Sequence, residues 1–229
     1  MEERYNFFLY LCVVKPKLII FDFDGTLGDT RQNIIMTLQR TMRERGMEVR
    51  DDATCASTIG LTLYDSFLRM YPEMSEGEAA ECVKHYRDIF YQSIEECIPQ
   101  LFDGVMWTLQ KLRERDIVLS IASSRSSPSL KLFMRSMGIA DYFSYILGSD
   151  NVERHKPEPE PVLKTLDELG FTPSEAVVVG DMPVDVEMAH NAGVRAVAVS
   201  YGNATREELE LSGAEVVINN IADLLAYIE

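Results

Sequence analysis

The chain has 229 residues, with 22 Lys and Arg set against 37 Asp and Glu, for a formal net charge of −15. Hydrophobic residues make up 46% and charged residues 26%, the balance of a globular chain that can bury a sizeable core, which excludes a disordered or fibrous protein. So acidic a chain is poorly suited to tracking nucleic-acid phosphates, and no nucleic-acid partner is expected.

Residues 1–16 read as an N-terminal extension of unknown purpose. Its apolar run, Phe7 to Val14, follows Glu2 and Glu3 where a signal peptide would carry positive charge, and it falls far short of the ~20 residues of a membrane span. No membrane partner is expected. Cys12, Cys55, Cys82 and Cys97 are scattered without metal-ligand spacing, which points to free thiols in a reducing, cytoplasmic setting. Oligomeric state is not legible.

From Lys17 onward, short apolar and β-branched runs predict strands at 17–21, 117–122, 142–147, 176–179 and 195–199, with a weaker one at 214–218. Their continuous apolar character suits strands buried on both faces. Helical segments are predicted between them at 104–115, 127–137, 158–169, 183–192 and 205–211, with 221–228 closing the chain. Gly138, Gly170 and Gly193 stand where helices should end. The alternation predicts an α/β fold with a doubly wound, mainly parallel, Rossmann-like sheet.

Residues from about 30 to 96 break that alternation. Ile34, Ile35, Leu38 and Met42 share one helix face, as do Val83, Tyr86, Phe90 and Ile94, with shorter helices expected at 52–57 and 62–70. The domains expected are thus a core of 17–30 and 97–229 and an α-helical insert of 31–96, reached through hinges near Gly28–Thr30 and Pro99–Gly104.

In open α/β sheets, ligands bind beyond the carboxyl ends of the strands. The first strand runs into Asp22-Phe-Asp24-Gly-Thr26, the second into Ser123 and the fourth, through Gly180, into Asp181. Two carboxylates at i and i+2 before a glycine fit a sharp turn whose backbone N–H groups form an anion nest, or simply an Asx-turn with Thr26 as a helix cap. Asp181 and Asp185 bracket a first helical turn, where acidic residues also suit the macrodipole. Four carboxylates in one crevice would repel one another unless a cation held them, and an all-oxygen set favours Mg²⁺ over a softer metal. Lys156, in a loop stiffened by Pro157 and Pro159, offers a compensating charge.

Asp22-x-Asp24-Gly25-Thr26, Ser123 at a strand end, Lys156-Pro157-x-Pro159 and Gly180-Asp181-x-x-x-Asp185 together resemble the haloacid dehalogenase-like hydrolase superfamily. The ordered set covers the chain from about residue 17. Asn191-Ala-Gly-Val194, Val197 to Gly202, Arg206-Glu-Glu-Leu209, Ile59-Gly60-Leu61 and Gly104-Val105 are most similar to its phosphoglycolate phosphatases. The helical insert looks like that superfamily's cap.

The resemblance implies that Asp22 attacks phosphorus and that Asp24 works as general acid and base. It implies Mg²⁺ held by the Asp22 and Asp181 side chains and the Asp24 carbonyl, with Asp185 ordering a metal-bound water or Lys156. Phosphoryl oxygens would be held by the Phe23 and Asp24 amides, Ser123, Ser124 and Lys156. Ile59, Gly60 and Leu61 form the candidate specificity loop, although Gly60 could equally mark the end or start of a helix. Arg125 departs from the pattern, standing where Asn-Lys or Ser-Lys is commoner. The partner expected is a small phosphorylated metabolite, with 2-phosphoglycolate foremost. A β-phosphoglucomutase-like mutase, a broad sugar-phosphate or nucleotide phosphatase and a pyrophosphatase are the enzymatic alternatives. A phospho-accepting protein without turnover is opposed by Asp24 and the helical insert.

Overall fold

Leu18–Phe21 (β1) is a four-residue strand with no exposed side chain, and it lies at the middle of the sheet. In the computed structural model, which describes residues 15–93 and 98–228, β1 leads into a two-residue strand, Gly28–Asp29 (β2). Four helices follow: Arg31–Glu44 (α1), Asp52–Ala56 (α2), Leu63–Met70 (α3) and Glu76–Ser93 (α4). The chain re-enters through Gln100–Leu101 (β3), which pairs antiparallel with β2. It then alternates through Val105–Glu114 (α5), Val118–Ala122 (β4), Ser127–Ser136 (α6), Tyr145–Leu147 (β5) and Glu160–Leu169 (α7). Ala176–Gly180 (β6), Pro183–Asn191 (α8), Arg195–Val199 (β7), Arg206–Leu211 (α9), Val216–Ile218 (β8) and Leu224–Tyr227 (α10) complete it.

The six-stranded sheet has the order β5-β4-β1-β6-β7-β8, and every pairing in it is parallel. Side chains alternate between its faces. Ile19, Phe21, Val177 and Val179 meet α5, α6 and α10 through Leu109, Leu112, Phe133 and Leu224. Leu18, Ile20, Ala176 and Val178 meet α7 and α8 through Val162, Leu166, Val186 and Ala189. Both faces are covered, so the fold is the doubly wound α/β architecture expected. Each large side chain so buried contributes about 1.5–3 kcal/mol.

Two of the four inserted helices start at side-chain caps, and α1, α3 and α4 bury apolar stripes. Asp51 accepts a hydrogen bond from the Thr54 N–H, and Thr62 accepts one from the Asp65 N–H, which starts α2 and α3. Ile35, Leu38 and Met42 of α1 pack with Cys82, Tyr86 and Phe90 of α4 and with Phe67 of α3. Ile94 and the run Phe7 to Val14 lie outside the described residues, as do Cys12 and Cys97.

Two sequence expectations are adjusted. The strand expected over 142–147 begins only at Tyr145, because residues 140–142 close into a 3-10 turn that turns the chain before the strand. The closing helix expected over 221–228 is a 3-10 turn at Ile221–Asp223 followed by α10. Among the described residues no helix is long and apolar enough to cross a membrane.

Candidate active site

Parallel register sets three strand ends side by side. Phe21 pairs with both Ile121 and Val179, so Asp22, Ser123 and Asp181 leave the sheet at one carboxyl edge. All three are buried. After Asp22 the chain turns at Gly25, whose φ of +91° suits glycine alone. A Cβ there would also fall 2.2 Å from Asp181 Oδ2 and 2.3 Å from Asn203 Nδ2. The turn closes with the Gly25 N–H donating to the Gly28 carbonyl and the Leu27 and Gly28 N–H groups donating to the Phe23 carbonyl. The Phe23 ring stacks on Phe133, with centroids 6.2 Å apart.

Lys156 is the centre of charge balance at this edge. Its Nζ donates to Asp22 Oδ1 and to Asp185 Oδ1, each at 2.6 Å. Asp185 Oδ2 accepts from the Met182 N–H at 3.0 Å, so both of its oxygens are engaged. Gly180 allows this approach, since a Cβ there would come within 2.4 Å of Asp185 Cβ. Burial opposes the charge of Lys156, but Asp185 and Asp22 outweigh it and raise its proton affinity. Burial pushes Asp22 well above the usual carboxylate range, against the pull of Lys156.

Asp181 is fixed from the opposite side. Its Oδ2 accepts from the Asn203 N–H at 2.7 Å and from Asn203 Nδ2 at 2.8 Å, while Thr26 Oγ1 donates to Oδ1 at 3.2 Å. Thr26 is therefore a partner of Asp181 and not a helix cap; α1 begins after Thr30. The Tyr201 hydroxyl donates to the Thr26 carbonyl at 2.8 Å and ties the β7 loop to this turn. Burial, reinforced by Asp185, raises Asp181 to about 7 despite the Asn203 bonds. Asp22, Asp181 and Asp185 each bring a carboxylate oxygen within 4.8 Å of the others. Three buried carboxylates, of which Lys156 pairs with two, form an all-oxygen donor set that fits a hard divalent cation.

Asp24 takes a separate partner. Arg125 Nε donates to its Oδ2 at 3.0 Å and Nη2 donates to its Oδ1 at 2.7 Å, a fork that uses both oxygens. The guanidinium lies 4.8 Å from the Phe133 ring centroid and 5.5 Å from that of Phe90. Ser123 Oγ accepts from the Arg125 N–H at 3.2 Å. Ser124 Oγ donates to the Gly60 carbonyl at 2.6 Å, so its proton serves the 59–61 loop.

Gly60 lies between α2 and α3, within a turn and not at a helix end, with φ at +97°. Ile59, Gly60 and Leu61 line a cavity of about 230 Å³ that also takes in Asp22, Asp24, Ser123, Ser124 and Arg125. Its far wall comes from α1 and α4 through Leu38, Tyr86 and Phe90. Lys156 is not on the cavity wall but reaches Asp22 from behind it. Sequence reasoning missed Asn203 and the partner of Arg125. Asn203 follows β7 at the same sheet edge, and that position was the available signal; nothing in the spacing marks Arg125 and Asp24 as a pair.

Comparisons with known proteins bear on the family of the chain. A family model described as haloacid dehalogenase-like hydrolase matches residues 19–199. A Dickeya dadantii protein named probable phosphatase IndB is 31% identical over 214 residues, 93% of each chain. A Pectobacterium atrosepticum phosphoglycolate phosphatase is 28% identical, over 92% of this chain and 91% of its own. The pyrophosphatase PpaX of Bacillus cereus is 27% identical, over 93% and 96%. Among solved structures, a Bacteroides fragilis protein classed as a haloacid dehalogenase-like hydrolase superimposes with a TM-score of 0.87 at 28% identity, covering 92% of this chain and 100% of that one.

Proposed function

Because the chain belongs to the haloacid dehalogenase-like hydrolases, we propose that it is a Mg²⁺-dependent phosphatase of a small phosphorylated metabolite, with 2-phosphoglycolate the first substrate to test. The observation that carries the reading is the pair Asp22 and Asp24 on one glycine turn, with Lys156 on Asp22 at 2.6 Å. In this reading the Asp22 and Asp181 side chains and the Asp24 carbonyl hold the cation, which supplies positive charge for the incoming phosphoryl oxygens.

An Asp22 carboxylate oxygen attacks phosphorus and the bond to the leaving oxygen breaks, forming an aspartyl-phosphate. Asp24 gives a proton to that leaving oxygen. It then takes a proton from water, whose oxygen attacks the same phosphorus and releases orthophosphate and Asp22. Ser123 and the Phe23 and Asp24 amides hold the phosphoryl oxygens; Ser124 joins them by turning its hydroxyl from the Gly60 carbonyl, and Lys156 offsets their charge from behind Asp22. Asp185 keeps Lys156 aimed at Asp22. Residues 31–96 act as a cap on the core of 17–30 and 97–229, and Ile59, Gly60 and Leu61 face the leaving group and exclude water.

The test is Mg²⁺-dependent phosphate release from an aryl phosphate and from 2-phosphoglycolate by the wild type and the Asp22→Asn and Asp24→Asn variants. Loss of at least about 10³-fold in kcat is expected for Asp22→Asn, since a covalent step has no substitute nucleophile. Unchanged turnover in that variant would overturn the mechanism. A pyrophosphate substrate is the second reading, favoured by similarity to proteins named pyrophosphatase PpaX over 93% of the chain.

A further inference from the structure

Arg125 is joined to Asp24, whose both oxygens are engaged by the guanidinium fork. Its side chain is 9% exposed and that of Asp24 is 12% exposed, so neither charge is screened by much water. Both residues line the cavity. A guanidinium stays charged, and a buried one stripped of its counter-charge is strongly disfavoured. Asp24 cannot face a leaving oxygen while both of its own oxygens are held in this fork. A replacement acceptor for Arg125 is therefore needed as the substrate enters. The neighbouring cavity wall offers the Phe90 ring and hydroxyls at Ser126 and Tyr86, and Phe133 packs on the guanidinium from outside that wall, but no second carboxylate is in contact with Arg125 among the described residues.

We propose that Arg125 is a specificity residue that binds a second anionic group carried on the substrate's leaving portion, and that this exchange frees Asp24. The proposal rests on the phosphatase reading of the site and narrows it to phosphoesters or phosphoanhydrides with a carboxylate or a further phosphate. Bidentate pairing suits both groups, and the Phe90 and Phe133 rings pack against the guanidinium that would make it. Phosphoesters with neutral leaving groups leave Arg125 on Asp24, and they are hydrolysed poorly.

The experiment compares kcat/KM for 2-phosphoglycolate with that for 2-hydroxyethyl phosphate, which has a hydroxymethyl in place of the carboxylate. The wild type is expected to favour the anionic substrate by about ten- to a hundredfold, the range of a charged hydrogen bond. Arg125→Ala is expected to bring the ratio to about one, and Arg125→Lys to leave it between the two. Because each ratio is taken within one variant, partial misfolding cancels. A second arm measures calorimetric affinity of both compounds for Asp22→Asn, with and without Arg125→Ala, and requires no turnover. A wild-type ratio near one, or a ratio and an affinity difference that survive Arg125→Ala, would overturn the proposal. Hydrolysis of no phosphoester by the wild type would instead sink the phosphatase reading, while the affinity arm still decides the role of Arg125.

Discussion

Lys156 holds Asp22 and Asp185 at 2.6 Å each within a buried cluster, so its removal leaves two carboxylates without their shared counter-charge. Lys156→Met, close in volume, is expected to lower unfolding free energy by about 3–5 kcal/mol in a denaturant titration. A loss below about 1 kcal/mol would mean that the cluster is solvated. The carboxylates and the lysine were legible in the sequence because Asp22 and Asp181 follow apolar runs, Asp24 and Asp185 lie a few positions on, and Lys156 precedes stiffening prolines. Their contacts were less so. Thr26 looked like a helix cap because its type suits one, yet the chain folds back and sets it against Asp181. Arg125 stood out as a departure, but its contact with Asp24 spans 101 positions and depends on two strands being neighbours.

At the scale of elements, the strands could be read because parallel pairing buries both faces and leaves an uninterrupted apolar run. The two-residue pair β2–β3 could not, since two residues carry no periodicity. Tyr142 and Phe143 misled for a related reason: their aromatic character suits a strand, but they pack against the core from a turn. The 59–61 loop shows how one contact can join two elements. Ser124→Ala removes the hydrogen bond to the Gly60 carbonyl and is expected to cost only about 0.5–1.5 kcal/mol of stability. Its larger effect is expected in faster amide exchange over 57–62, and unchanged exchange there would show that the loop is held by other contacts. Gly25→Ala is expected to be far more damaging. Its Cβ would meet Asp181 and Asn203 near 2.2 Å, at a backbone angle that alanine rarely adopts. Loss of Mg²⁺-induced stabilisation in folded Gly25→Ala protein is the readout, and wild-type stabilisation would contradict it.

Across the whole molecule, a charge of −15 should repel anions, yet the cavity wall carries Arg125 and Lys156 backs Asp22 from behind that wall. The buried carboxylates also make stability depend on pH. Burial raises Asp181 to about 7, so between the ordinary carboxylate value and about 7 the folded chain holds a proton that the unfolded chain has lost. Stability from this group is therefore present at low pH and falls as pH rises through that window. A divalent cation needs the ionised carboxylate, so its effect runs the opposite way. Saturating Mg²⁺, near 100 times its Kd, is expected to raise Tm by about 5–10 °C at about pH 8 and by much less at about pH 5. An increment independent of pH would detach the cation from these carboxylates. The position of β1 has a further consequence, for time and not for chemistry. Leu18 pairs with Val118 on one side and with Ala176 on the other. During synthesis the strand that leads into Asp22 emerges well before Val118 and Ala176 and waits, apolar on both faces, until both have followed. Such distant pairings close slowly and expose sticky surface meanwhile, so the edge that carries the buried carboxylates is among the last parts to form and folding yield should fall with protein concentration.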